Sequence, residues 1–256
     1  MRRAGAGSTA VAGRAGGGEP GGILLTCEHA SNAVPAPHRP LFARRQGVLA
    51  THRAFDIGAR TVARAMARSL GAPLHEGGIT RLLVDLNRSV GHRDLHSEFT
   101  QPLTRAERAA LVARWHVPFR DAALGSLRAL LALGPVTHLS IHSFTPALDG
   151  TPRTCDIGLL YDPRRAGEQA LALRLQAALA TVAPQWRVRR NYPYRGAADG
   201  HATLLRRRFG PRSYVALEIE FNQALLRTPA AARAAAATFM AGLQLGRPGR
   251  GVRARG

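Results

Sequence analysis

The sequence predicts an α/β protein of three layers, α/β/α, in which a mixed, mostly parallel central sheet is covered by helices on both faces. Two observations point there. Short apolar runs alternate with helix-length segments from residue 23 to residue 243, and strands spaced by such helices pair in parallel and bury both faces. Three of the runs, residues 23–27, 136–141 and 214–221, also lead into or contain polar residues able to do chemistry, His29, His142 and Glu220. Functional groups gather at the carboxyl ends of strands in sheets of this kind.

Taken in order, residues 23–27 lie between Gly21-Gly22 and the polar pair Glu28-His29, the pattern of a buried strand that delivers a loop. Residues 55–70 place Ile57, Val62, Met66 and Leu70 on one helical side and Arg60, Arg64 and Arg68 opposite, with Gly71 as the stop. Extended segments are expected at 72–75 and 82–86, the second running into Asn87-Arg88. A long helical region over 101–133 should kink near Pro118 and end at Gly134-Pro135. Strands follow at 136–141, 156–161, 186–190 and 214–221, and helices at 166–182, 202–209 and 229–243.

A chain of 256 residues can bury one substantial core, and a single domain is expected over 23–245. Residues 1–22, Gly/Ala-rich and without the apolar core of a signal peptide, are expected as a disordered leader, and residues 246–256 as a disordered Arg/Gly tail. The net charge of +20 comes from 36 basic residues, all of them arginine. They are spread along the chain without the interleaved aromatics that base stacking needs, so no nucleic-acid partner is expected, and an arginine-rich nucleic-acid-binding protein is kept only as the alternative class. Arginines interrupt every Ala/Leu-rich run, which excludes a membrane-spanning helix and a membrane partner. Two cysteines, Cys27 and Cys155, fit a reducing cytoplasm. Nothing in the sequence specifies an oligomeric state.

Context selects among the ten histidines. His29 and His142 each follow an apolar run directly, and two histidines placed alike invite a shared metal. Zinc suits two imidazoles and a carboxylate with a fourth position left for water. Glu28, Asp56 and Asp85 all lie near apolar segments and could supply the carboxylate. Glu28 adjoins His29 on an extended segment, so their side chains face apart. Asp56, expected at the start of a helix, is preferred. Leu83 to Arg88 ends in an amide and a guanidinium, Asn87 and Arg88, with Arg81 just before, a group suited to a substrate carboxylate. Glu218 and Glu220 are two apart in a strand and share a face. Glu220, nearer the carboxyl end, is the better general base. A thiol hydrolase using Cys27 beside His29 is the rival enzyme, disfavoured because adjacent strand residues face apart.

The segments TCEHASNAVP (26–35), THRAFDIGA (51–59), RLLVDLNR (81–88), His142-Ser143, DIGLLYD (156–162), NYPYRG (191–196) and LEIEFN (217–222) together resemble the N-formylglutamate amidohydrolase family, over about residues 23–227. That family is similar in fold to the zinc carboxypeptidases. The resemblance implies a zinc-dependent hydrolase of carbon–nitrogen bonds other than peptide bonds, with one zinc ion and an N-acyl amino acid such as N-formylglutamate as its small-molecule substrate. Another N-acyl amino acid or a small peptide is the alternative substrate. It implies His29 and His142 as ligands, Asn87 and Arg88 as contacts to the substrate carboxylate, and Glu220 as base. The zinc carboxypeptidases take a glutamate three residues after the first histidine, where this chain has Asn32. The third ligand is therefore expected to be Asp56, with Glu28 and His52 as rivals.

Overall fold

A computed structural model describes residues 22–246. The leader and tail expected from the sequence lie outside these residues, except that Gly22 already belongs to the first strand and Gly246 caps the last helix. The strands are β1 (Gly22–Cys27), β2 (Leu74–Glu76), β3 (Val136–Phe144), β4 (Ala147–Leu148), β5 (Thr151–Pro152), β6 (Ile157–Leu160), β7 (Val188–Arg190) and β8 (Tyr214–Asn222). The α-helices are α1 (Ala59–Leu70), α2 (Arg105–Leu111), α3 (Val117–Leu131), α4 (Ala166–Val182), α5 (His201–Arg208) and α6 (Pro229–Leu245). Six strands form one sheet in the order β2-β1-β3-β8-β6-β7, and β4 pairs with β5 in a separate hairpin. Every neighbouring pair in the large sheet is parallel except β6 against β8. The mixed, mostly parallel sheet with helices on both faces is thus the architecture found.

The two faces follow from period-two patterning in the central strands. Leu139 and Ile141 of β3 and Leu217, Ile219 and Phe221 of β8 join one core with α1, α4 and α6. On the other face Leu24, Val136, Tyr214 and Ala216 pack with Leu124 and Leu127 of α3 and Leu205 of α5. Each such aliphatic or aromatic side chain, once fully buried, contributes about 1.5–3 kcal/mol before entropy is set against it. Toward the carboxyl ends of the strands, this second face turns polar. Ser140 stands opposite Glu218 and His142 opposite Glu220 in the register of β3 on β8. Directly opposed residues share a face, so a band of buried polar groups crosses the sheet where the helical cover ends.

Several expected elements differ. Residues 82–86 form turns, with Leu83 N–H bonded to the Thr80 carbonyl and Arg88 N–H to that of Asp85. Leu82, Leu83, Val84 and Leu86 are buried on all sides in a satellite core with Phe42, Ile79, Leu95 and Phe99. An unbroken apolar run satisfies a buried turn as well as a buried strand, so periodicity could not separate them. β3 continues through His142 to Phe144, which puts the histidine within the strand. Asp56 precedes α1 by three residues because Gly58 caps that helix at a φ of 82°. A Cβ on Gly58 would lie 2.5 Å from the Leu226 Cβ, so the turn that presents Asp56 requires glycine. The expected kink near Pro118 is a π-helical stretch, Val112–His116, between α2 and α3. Pro118 lacks the N–H that would continue the α-helical ladder.

Candidate active site

A cavity of about 550 Å³ opens at the carboxyl ends of β1, β3 and β8. His29, Asp56, Arg81, Asn87, Arg88, His142 and Glu220 all line it. So does His52, an exposed neighbour of Arg53. Glu28 does not reach the cavity wall as His29 does. It turns beneath the floor, as alternation along an extended segment requires.

At the floor, one ligand atom from each of His29, Asp56 and His142 lies within 4.8 Å of the others. The three residues are 3%, 5% and 3% exposed, so polar groups there are costly unless partnered. Asp56 Oδ2 is 2.8 Å from His142 Nδ1 and 3.4 Å from His29 Nδ1. The Asp56 loop is tied to the first strand by its own N–H, which donates to the His29 carbonyl at 3.0 Å. His29 Nδ1 is buried without a hydrogen-bond partner.

The outward nitrogens are held from behind. His29 Nε2 meets Asp85 Oδ1 at 2.7 Å, and Arg81 Nη2 binds the other oxygen of that carboxylate at 2.8 Å. His142 Nε2 lies 2.9 Å from Ser140 Oγ and 3.2 Å from Glu28 Oε2, while the Ser140 hydroxyl donates to Glu28 at 2.7 Å. The opposite Glu28 oxygen takes His201 Nδ1 at 3.0 Å. With both Nε2 atoms set against acceptors, both Nδ1 atoms turn toward Asp56, where a bound cation would take the place of a proton. That is the tautomer arrangement by which carboxylates orient metal-binding imidazoles. The donor set of two imidazole nitrogens and one carboxylate oxygen, with a buried orphan at His29 Nδ1, fits a divalent ion such as zinc.

The electrostatics agree with the geometry. Burial opposes charge on His142, but hydrogen bonds to Asp56 and Glu28 hold its pKa well above the usual range. Burial likewise opposes a charged Asp56, and the two histidines outweigh it, so its pKa is lowered. A proton between Asp56 and His142 thus occupies the place where the donors would share a cation. Asp85 is also held below its ordinary range, with Arg81 and His29 overcoming its burial. Glu220 behaves in the opposite way. Burial pushes it up to about 7, Asp56 and Glu218 add to the rise, and its Oε2 has no partner.

At the cavity wall, Asn87 Oδ1 accepts the His201 N–H at 2.7 Å and Arg88 Nη1 donates to the Asp199 carbonyl at 2.7 Å. Arg81 lines the cavity with its guanidinium engaged by Asp85. Cys27 and Cys155 are buried free thiols. Cys27 packs in the apolar core under α1, and burial raises its pKa well above normal, which removes the basis for a thiolate nucleophile.

Sequence reasoning passed over Ser140 and His201 and weighed Asp85 only as a ligand. Ser140 carried a signal, since the pattern His138, Ser140, His142 repeats every second residue on the face shared by Glu218 and Glu220. His201 carried none, because its partner Glu28 lies 173 residues away in the chain.

The sequence matches the family model described as N-formylglutamate amidohydrolase over residues 21–227, a stretch that includes every residue placed in the site. Among solved structures, a gene product of Agrobacterium tumefaciens is similar at 31% identity and a TM-score of 0.76, over 87% of this chain and 88% of that one. N-formylglutamate amidohydrolase from Ralstonia eutropha is similar at 20% identity and a TM-score of 0.64, over 90% and 94% of the two chains, a likeness of fold. Among curated proteins none matches the sequence significantly. Among the described residues no helix is long and apolar enough to cross a membrane.

Proposed function

Because the chain belongs to the N-formylglutamate amidohydrolase family, we propose that it hydrolyses the N-acyl amide of an acidic amino acid such as N-formylglutamate, with one zinc ion held by His29, Asp56 and His142. The observation that carries this reading is the convergence of those three donors, with an orphaned buried nitrogen, beside a buried carboxyl that has no partner. A zinc ion bound there supplies Lewis acidity toward an acyl oxygen and makes water more acidic. Glu220, neutral or charged near pH 7, is poised to take a proton from the attacking water and give it to the nitrogen as the carbon–nitrogen bond breaks. Formate and the free amino acid leave.

Asn87 and Arg88 hold the substrate carboxylate at the wall, and the positive field of Arg81 supports them while its hydrogen bonds serve Asp85. Asp85 and the Glu28–Ser140 pair keep the imidazoles in one tautomer. A single preparation tests the reading. Protein loaded with one equivalent of zinc should release formate from N-formyl-L-glutamate, lose that activity to a chelator and regain it with zinc. The His142→Ala protein should retain neither zinc nor turnover. Full activity in that variant, or no release from any N-formyl amino acid by the loaded wild type, would overturn it.

A further inference from the structure

Five arginines line the cavity, Arg53, Arg81, Arg88, Arg153 and Arg195, and their charges are unequally committed. Arg53 binds Glu98 at 2.6 Å and Arg81 binds Asp85 at 2.8 Å. Arg88 donates to the Asp199 carbonyl beside Asn87. Arg195 is exposed. Like Arg88 and Arg195, Arg153 has no carboxylate within ion-pair distance among the described residues, and it differs from them in lying over two aromatic rings.

The β4–β5 hairpin carries Arg153 to the rim, where its backbone N–H donates to the Pro146 carbonyl at 2.8 Å. Its guanidinium lies 5.7 Å from the centre of the Phe144 ring and 5.3 Å from that of Tyr194. Its Nη1 donates to the Tyr194 hydroxyl at 3.3 Å. Tyr194 belongs to the NYPYRG segment, which the proposed chemistry leaves without a role, and it too lines the cavity. Stacking on aromatic faces leaves the edge of a guanidinium free to make a forked contact. The Tyr194 oxygen accepts from Arg153, so its own proton remains to be donated. A guanidinium beside a free phenol proton matches a carboxylate.

We propose that Arg153 and Tyr194 form a second carboxylate subsite, and that this pair sets a preference for dicarboxylic over monocarboxylic amino-acid ligands. The inference rests on the proposed function only for where the scissile amide lies. The Asn87–Arg88 wall takes one carboxylate and the hairpin takes the other. Since Arg153 acts on binding, its loss raises KM far more than it lowers kcat.

Two measurements on zinc-loaded protein test this. In calorimetric titrations, wild type should bind L-glutamate roughly 10- to 100-fold more tightly than its uncharged isostere L-glutamine, the worth of one charge-assisted contact. Arg153→Leu should abolish that preference by weakening glutamate alone, and Tyr194→Phe should reduce it. In turnover, Arg153→Leu should lower kcat/KM for N-formyl-L-glutamate about 10- to 100-fold, chiefly through KM, and change N-formyl-L-glutamine less than about threefold. An equal loss for both substrates, or a wild type without preference between glutamate and glutamine, overturns the subsite. A binding preference that depends on Arg153, in a protein that cleaves neither formyl compound, would uphold the subsite and sink the proposed activity.

Discussion

His142 on β3 and Glu220 on β8 are register partners in adjacent parallel strands, so a proposed zinc ligand and the proposed base stand side by side on one face of the sheet. That adjacency gives Glu220 two environments. In the metal-free protein it is a buried acid with a pKa of about 7, and a cation bound next to it would draw that value down. In the zinc-loaded enzyme, activity should fall toward acid with a midpoint between its ordinary 4.5 and about 7. A pH–rate profile measures the midpoint directly, and a limb above 8 would assign the base elsewhere.

Replacing Glu220 by glutamine should separate activity from stability. Activity should drop about 10²- to 10⁴-fold, the usual weight of a general base. Stability of the metal-free protein should move the other way. The folded pKa lies above the unfolded one, so the stabilising proton is fully bound below pH 4.5 and is lost as pH rises through about 7. The gap corresponds to roughly 3 kcal/mol, and glutamine keeps the shape without the charge. Glu220→Gln should therefore melt above wild type at pH 8 and converge with it near pH 4.5. A variant that melts lower at pH 8 would contradict the burial account.

Bound as proposed, zinc would displace the proton that links Asp56 and His142. Because the His142 pKa is held well above its ordinary value, zinc affinity should fall about tenfold for each pH unit on descending from 8 to 6. Competition with a chromophoric chelator reads this slope. A pH-independent affinity would remove His142 from the ligand set.

Glu28 meets Ser140, His142 and His201, and in the proposed site it positions the His142 ring. Glutamine at this position puts an amide donor where an acceptor is required, and the His142 ring loses its fixed tautomer. Zinc affinity should weaken about 10- to 100-fold, as is usual when a group behind a metal ligand is removed. The dissociation constant of zinc and the ring-nitrogen shifts of His142 in a nitrogen NMR spectrum should change together. Unchanged shifts would show that Glu28 only fills space.

Gly158 of β6 pairs with Glu220 across the one antiparallel contact of the sheet. A Cβ there would lie 2.2 Å from the Tyr192 carbonyl oxygen and 3.1 Å from the Glu220 Cβ. Gly158→Ala should cost about 1–3 kcal/mol through overpacking, and should impair turnover by shifting Glu220 and the NYPYRG segment. Urea unfolding and kcat report the two effects, and a variant as stable as wild type would mean the segment yields freely.

Sequence by itself determined the layers, the faces and the candidate residues His29, Asp56, Arg81, Asn87, Arg88, His142 and Glu220 that the cavity gathers. Alternation in 136–144 and 214–222 placed the polar groups on one side, and the spacing of apolar runs gave helices on both. Those are local properties, written every second or every fourth residue. It could not distinguish the turns at 82–86 from a strand, since residues buried on every side leave no period to read. The tertiary structure alone decided who faces whom. It set Asp56 between two imidazoles, committed Asp85 and Glu28 to orienting them, and brought His201 beneath the sheet and Arg153 to its rim. A hydrogen bond between groups far apart in the chain depends on strand register and on the path of loops. In a buried site, where an unpartnered polar group is costly, that register fixes each carboxylate's role.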